Sequence, residues 1–180
     1  MPVHIALVRA INVGGHNPVS MAELRDLVAR LGLREVRSLL QTGNLVFRSG
    51  ARKSGPLETL LEAEAAKRLH LQTDFFVRSA DEWAAIMGRN PFRAEAERNP
   101  GRLLVIFLKA AAAPADVEVL RAAITGREVV QTDGREAYVV YPDGVGRSKL
   151  TTALMERKLR TRGTARNWNT VAKLGALAAS

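Results

Sequence analysis

Val36-Arg-Ser-Leu-Leu-Gln41-Thr42-Gly43-Asn44-Leu-Val-Phe-Arg48 reads as a β-hairpin. Val36–Gln41 and Asn44–Arg48 are rich in β-formers, and Thr42-Gly43 between them is a tight turn, with Gly43 and Asn44 suited to unusual φ values. Before the hairpin stands a helix. Ser20 and Glu23 have capping-box spacing, Met21, Leu24, Leu27, Val28 and Leu31 recur at helical intervals, and Gly32 stops the run. Val3–Val8 is almost continuously apolar and reads as a central strand. Asn12-Val-Gly-Gly-His-Asn17-Pro18 joins it to the helix as a loop. After the hairpin, Ser49–Pro56 is a polar loop, Leu57, Leu61, Ala65 and Leu69 mark one face of a second helix, and Asp74–Arg78 is a strand. The order is β-α-β-β-α-β, that of a ferredoxin-like unit.

The second half repeats the order. Ser79 and Glu82 form another capping box, opening a short helix through Trp83, Ile86 and Met87, and Asn90-Pro91-Phe92 ends it. Glu95–Gly101 is a charged loop by composition. Arg102–Leu108 is a strongly apolar strand, Ala110–Ala113 leads into a helix with Val117, Leu120 and Ile124 on one face, and Glu128–Gln131 with Ala137–Tyr141 forms a second hairpin around Asp133-Gly134. A helix is predicted from about Lys149 to Leu159. The sixth element is not visible as a strand; at most an extended piece near Arg162–Ala165 replaces it. A last helix runs from about Asn167 to Ala178, with Trp168, Val171, Leu174 and Leu177 inward. The expected fold class is α+β: duplicated ferredoxin-like repeats with an extra C-terminal helix. The expected division is 1–79 for the first repeat, 80–101 for a connecting helix and loop, and 102–180 for the second repeat with the C-terminal helix.

Composition narrows the function classes. The chain has 180 residues, 47% of them hydrophobic, so it can bury a core and is not disordered. It has no cysteine, which excludes disulfides and thiolate chemistry. No apolar run has the length to span a bilayer, so no membrane role is expected. The N-terminal stretch has no basic segment ahead of its apolar residues, and a cytoplasmic location is expected. Lys and Arg number 27 against 18 acids, for a net charge of +9. From Arg147 to Lys173 stand eight bases and one acid, Glu156, so this segment supplies most of the excess. Such a cluster suits phosphate, nucleotide or nucleic acid; the alternative is a solvated helix face in an Arg-rich chain. No metal-binding spacing, nucleophile elbow or dinucleotide fingerprint is present, and no cofactor is expected. Tyr138 and Tyr141 fall on opposite sides of one strand, so at most one could stack on a base.

Six segments together carry a family pattern: Leu7-Val-Arg-Ala-Ile-Asn-Val-Gly-Gly15, Met21-Ala-Glu-Leu24, Gln41-Thr-Gly-Asn-Leu-Val-Phe47, Asn90-Pro-Phe92, Ser148-Lys-Leu150 and Thr164-Ala-Arg-Asn-Trp-Asn-Thr170. The chain resembles the bacterial family catalogued as domain of unknown function 1697. The resemblance spans nearly the whole chain and implies a duplicated α/β domain with ferredoxin-like repeats; it implies no particular reaction. Ala10 stands where that family commonly has glycine.

Four places gather ligand-binding groups. The loop after the first strand carries Asn12, Gly14 and Gly15, with Arg9 before it and His16 as an available acid or base; its glycines either offer backbone N–H groups to an anion or simply turn the chain. Gln41 and Asn44 flank the first hairpin turn and suit either the turn or a ligand. Arg147, Ser148 and Lys149 lie before a helix that Ser148 would cap, and cations at that end of a helix call for an anionic partner. Arg166, Asn167, Asn169 and Thr170 crowd the start of the last helix, with Asn167 as its N-cap and a helix cap as the bland alternative. The leading expectation is an anion-binding module for a phosphorylated ligand: a nucleotide, a phosphometabolite or nucleic acid. The rivals are an enzyme acting on a phosphorylated small molecule, with Arg9, Arg166 and Lys149 stabilising charge and His16 as base, and a protein-interaction domain using the basic face. Catalytic residues, the ligand and the oligomeric state are not legible.

Overall fold

The computed structural model describes residues 1–9, 19–50 and 53–180. The chain is mixed α+β, with two four-stranded antiparallel sheets, and it divides into two compact units. One comprises Met1–Ala85 with Lys173–Ser180, the other Ile86–Ala172.

The first unit holds β1 (Val3–Val8), α1 (Met21–Arg30), β2 (Arg34–Leu39), β3 (Asn44–Arg48), α2 (Ser54–Leu69), β4 (Phe75–Ser79) and the start of α3 (Ala80–Gly88). Its strands lie in the order β2-β3-β1-β4. The α1 capping box forms as the sequence predicts: Glu23 N donates to Ser20 Oγ at 3.1 Å, and Ser20 N donates to Glu23 Oε2 at 2.8 Å. Met21, Leu24, Leu27 and Val28 of α1 and Leu57, Leu61 and Ala65 of α2 pack on Ala6, Val8, Leu45, Phe47, Phe75 and Val77. Each large apolar side chain buried here contributes roughly 1.5–3 kcal/mol. The hairpin differs from its predicted form. β2 ends at Leu39, and the turn takes four residues, with Leu40 at φ 63° and Gly43 at φ 82°. Leu40, not Asn44, thus shares the left-handed conformation with Gly43.

β4 is an edge strand, and three carboxylates cover its outer N–H groups. Phe75 N donates to Glu62 Oε2 at 2.9 Å, Val77 N to Glu58 Oε2 at 2.8 Å and Ser79 N to Glu82 Oε2 at 2.6 Å. Four residues of helix rise about 6 Å and two residues of strand about 6.8 Å, so Glu58 and Glu62 on α2 match alternate residues of β4. A free edge is thereby closed to another strand.

The second unit holds the end of α3, α4 (Arg93–Arg98), β5 (Leu103–Leu108), α5 (Pro114–Ala123), β6 (Val129–Asp133), β7 (Glu136–Val140), α6 (Thr152–Leu159), β8 (Gly163–Asn167) and the start of α7 (Trp168–Ala179). Its strand order is β6-β7-β5-β8. Three predictions are corrected here. Residues expected as a charged loop form α4, followed by a 3-10 turn over Pro100–Arg102. The helix expected from Lys149 starts at Thr152, because Thr151, not Ser148, caps it by accepting from Leu154 N at 3.1 Å. The strand that was not visible is β8, paired antiparallel with β5. It carries Gly163 against β5, where a Cβ would lie 3.0 Å from Leu108 Cδ2 and 3.1 Å from the Phe107 carbonyl oxygen.

The two sheets share more than strand order. Ile5, third in β1, faces Arg78 of β4; Val105, third in β5, faces Arg166 of β8. Val8 N donates to Gly43 O and Leu108 N to Arg135 O, both at 2.8 Å. Arg9 N donates to Asp74 O at 3.1 Å, and Lys109 N to Arg162 O at 2.9 Å. Each fourth strand then runs straight into a helix whose cap it supplies. Ser79 Oγ accepts from Glu82 N at 3.1 Å, and Asn167 Oδ1 accepts from Thr170 N at 3.0 Å. No helix among the described residues is long and apolar enough to cross a membrane.

Candidate functional site

The connection from β7 to α6 is laid out by Tyr141. Its ring is buried, its hydroxyl donates to Leu150 O at 2.9 Å, and Gly144 N donates back to Tyr141 O at 3.0 Å. The intervening loop meets the turn between α5 and β6. The two line a cleft of about 320 Å³, with Thr125, Glu128, Asp143, Arg147, Ser148 and Lys149 in its wall.

Its charges are unevenly matched. Asp143 pairs with Arg127, whose guanidinium holds the carboxyl below its ordinary pKa. Ser148 Oγ donates to Glu128 Oε1 at 2.6 Å and accepts from Leu150 N at 3.0 Å. Arg147 and Lys149 are exposed and have no ion-pair partner among the described residues. The cleft therefore presents two available cations beside two carboxylates, one paired with Arg127 and one occupied by a hydroxyl.

The predicted residues Arg147, Ser148 and Lys149 thus come together. Arg166, Asn167, Asn169 and Thr170 do not line this cleft. Arg166 is buried in β8, donating to Thr164 Oγ1 at 2.8 Å and to Ala165 O at 2.9 Å, and burial pulls its pKa down to about 10. Asn167 caps α7, Thr170 is buried, and Asn169 is exposed. Arg9 is paired with Asp74 at 3.5 Å. Gln41 is exposed on its turn. Asn44 is fully buried, with Nδ2 donating to Leu39 O and Thr42 Oγ1, both at 2.9 Å, so its amide fastens the hairpin. Asn12, Gly14, Gly15 and His16 lie outside the described residues. Neither Tyr138 nor Tyr141 is exposed to stack on a base; burial pushes both phenols up to about 12.

Sequence reasoning missed a second group in the first unit. His4, Lys53, Ser54, Ser79 and Glu82 line a cleft of about 390 Å³. The one signal was His4 itself, a polar residue inside the apolar run of β1.

Among the described residues no group of three or more His, Asp or Glu is placed to hold a metal ion. The geometry defines an α+β protein of two antiparallel sheets, with a cation-bearing cleft on the second. A family model described as Protein of unknown function (DUF1697) matches residues 1–138, and the chain belongs to that family. It is similar to a solved structure described as conserved bacterial protein SP0830 from Streptococcus pneumoniae: 26% identity over 98% of each chain, with a TM-score of 0.74. No curated protein matches it.

Proposed function

We propose that the protein is a cytoplasmic anion-binding module whose ligand carries a phosphate and a neighbouring hydroxyl, as a nucleotide or sugar phosphate does. The observation that carries this reading is the pair Arg147 and Lys149, unpartnered among the described residues on the wall of one cleft. The phosphate is held by the two cations, and Glu128 accepts the ligand hydroxyl in place of Ser148. A carboxylate beside the cations disfavours a bare dianion and favours a ligand that brings its own donor. Arg166, Asn167 and Thr170 act as a buried strand-to-helix joint that supports the unit. We further propose that the shared strand order and register reflect duplication of a ferredoxin-like β-α-β-β-α-β repeat, with 1–79 and 102–180 as its copies and 80–101 as the connection.

Calorimetric titration with adenosine monophosphate and ribose 5-phosphate at low salt tests the reading. Binding is expected in wild type, weakened by at least about tenfold in the Arg147→Glu/Lys149→Glu variant. Equal binding by that variant, or none by wild type, refutes it. Nucleic acid as the ligand is separated by a salt series on duplex DNA, where log K falls with a slope of about −0.9 per phosphate contacted.

A further inference from the structure

The cleft in the first unit has no part in the reading above. His4 is second in β1, directly opposite Ser79 of β4. Lys53 is the N-cap of α2, Ser54 is its first residue, and Glu82 lies in the first turn of α3. Glu82 Oε2 accepts from Ser54 Oγ at 2.8 Å and Ser79 N at 2.6 Å, so this carboxylate ties both helix starts to the end of β4.

At the start of α2 that carboxylate takes the Ser54 hydroxyl. This 16-residue helix has no side-chain cap and no acid in its first turn. A helix start of this kind presents outward N–H groups, here those of Ser54 and Gly55, together with the positive end of the helix dipole. Gly55 is exposed, and a Cβ built on it meets nothing within 4 Å. Lys53 is exposed at the same place. A helix start alone attracts anions only weakly, but the wall of this cleft holds a second feature. His4 is 2% exposed, and its Nδ1 is buried without a hydrogen-bond partner. An unpaired polar atom at such depth is destabilising unless a partner arrives. Burial holds the His4 pKa below its ordinary value, against the pull of Glu82, so the ring is neutral at pH 7 and both donates and accepts.

We propose that this cleft binds a small phosphate monoester, with its phosphate on the first turn of α2 beside Lys53 and a hydroxyl of the ligand against the imidazole of His4. Glu82 already holds the Ser54 hydroxyl and Ser79 N, so the phosphate meets α2 from the side of Lys53 and Gly55.

The test is a titration of the isotopically labelled full chain with glycerol 3-phosphate, read from the ring nitrogens of its three histidines by NMR. A His4→Gln variant assigns the His4 signals. They are expected to shift and saturate by about 10 mM ligand, the range of a weak metabolite site. Lys53→Glu is expected to weaken binding at least about tenfold with Tm unchanged or raised, because an acid at a helix start is favoured by the dipole. Unmoved His4 signals, or Lys53→Glu binding as wild type does, overturn the proposal. The Arg147→Glu/Lys149→Glu variant is expected to leave the His4 titration intact. If it abolishes the response, the signal comes from the second unit and this proposal fails; if wild type shows no calorimetric binding of adenosine monophosphate while His4 still responds to glycerol 3-phosphate, only the reading of the second unit fails.

Discussion

Replacing Glu58 by alanine removes one carboxylate that has two duties. Its Oε2 accepts from Val77 N at 2.8 Å and lies 3.5 Å from Arg78 Nη1. Glu58 is 7% exposed and Arg78 1%. The variant strands a backbone N–H of the edge strand and takes the carboxylate from a buried guanidinium. A hydrogen bond to a charged acceptor is worth roughly 1.5–3 kcal/mol, and breaking a buried ion pair from one side costs about 3–5 kcal/mol. One carboxylate serves both, so the costs overlap, and a total of about 3–5 kcal/mol is expected. For a chain of this size 1 kcal/mol moves Tm by about 2–4 °C, which gives a fall of roughly 6–20 °C by calorimetry or circular dichroism. Glu62→Ala is the internal comparison. Glu62 covers Phe75 N at 2.9 Å from one helical turn away and is only half-buried, so its loss costs about 1–2 kcal/mol. In Glu58→Leu/Arg78→Leu no charge is stranded, and part of the stability returns. If Glu58→Ala costs no more than Glu62→Ala, or if the double variant is as unstable as the sum of its singles, the assignment of the energy to the buried guanidinium is wrong.

The chain has two tyrosines, both buried and both pushed up to about 12. Phenolate absorbance is therefore expected to stay near zero at pH 10.5 in the native protein and to be more than half developed there in guanidinium; appreciable native phenolate at that pH contradicts the burial. The unfolded chain loses these protons from about pH 10 while the folded chain keeps them, so the two phenols withdraw stability between about pH 10 and 12. Ser148→Ala frees Glu128 from its hydroxyl, and affinity for sulfate, which at pH 7 has no proton to donate to that carboxylate, is expected to fall several-fold by calorimetry. Gly163→Ala sets a methyl group about 3 Å from the β5 backbone and Leu108, and a loss of about 1–3 kcal/mol in a denaturant titration is expected. An unchanged midpoint in that titration shows that β5 yields at no cost.

What could be read in the sequence followed from local chemistry. β3 lies where the hairpin pattern placed it, and the helix starts at Ser20 and Ser79 are fixed by side chains only three residues away. The misreadings arose where distant partners decide. β8 runs Gly163-Thr-Ala-Arg-Asn167, with little apolar content, yet Arg166 and Thr164 are buried because β5 pairs with them and their polar atoms bond to each other. Ser148 looked like a helix cap because it precedes the helix predicted from about Lys149, but it is held by Glu128, twenty positions earlier, and the cap passes to Thr151. The glutamates that close the β4 edge stand four apart on α2, a spacing that in the sequence alone reads as an ordinary charged helix face. The cleft around His4 was hidden for the same reason: its wall draws on β1, α2, β4 and α3, and no local pattern records that meeting.

The matched registers also make the molecule its own blank. Where the first sheet carries His4 opposite Ser79, the second carries Leu104 opposite Asn167, and the cap positions three residues on hold Glu82 and Thr170. The same scaffold is thus present once with imidazole and carboxylate and once without. Grafting Leu104→His and Thr170→Glu onto the second sheet asks directly how much of a site is the side chains and how much is the frame that displays them.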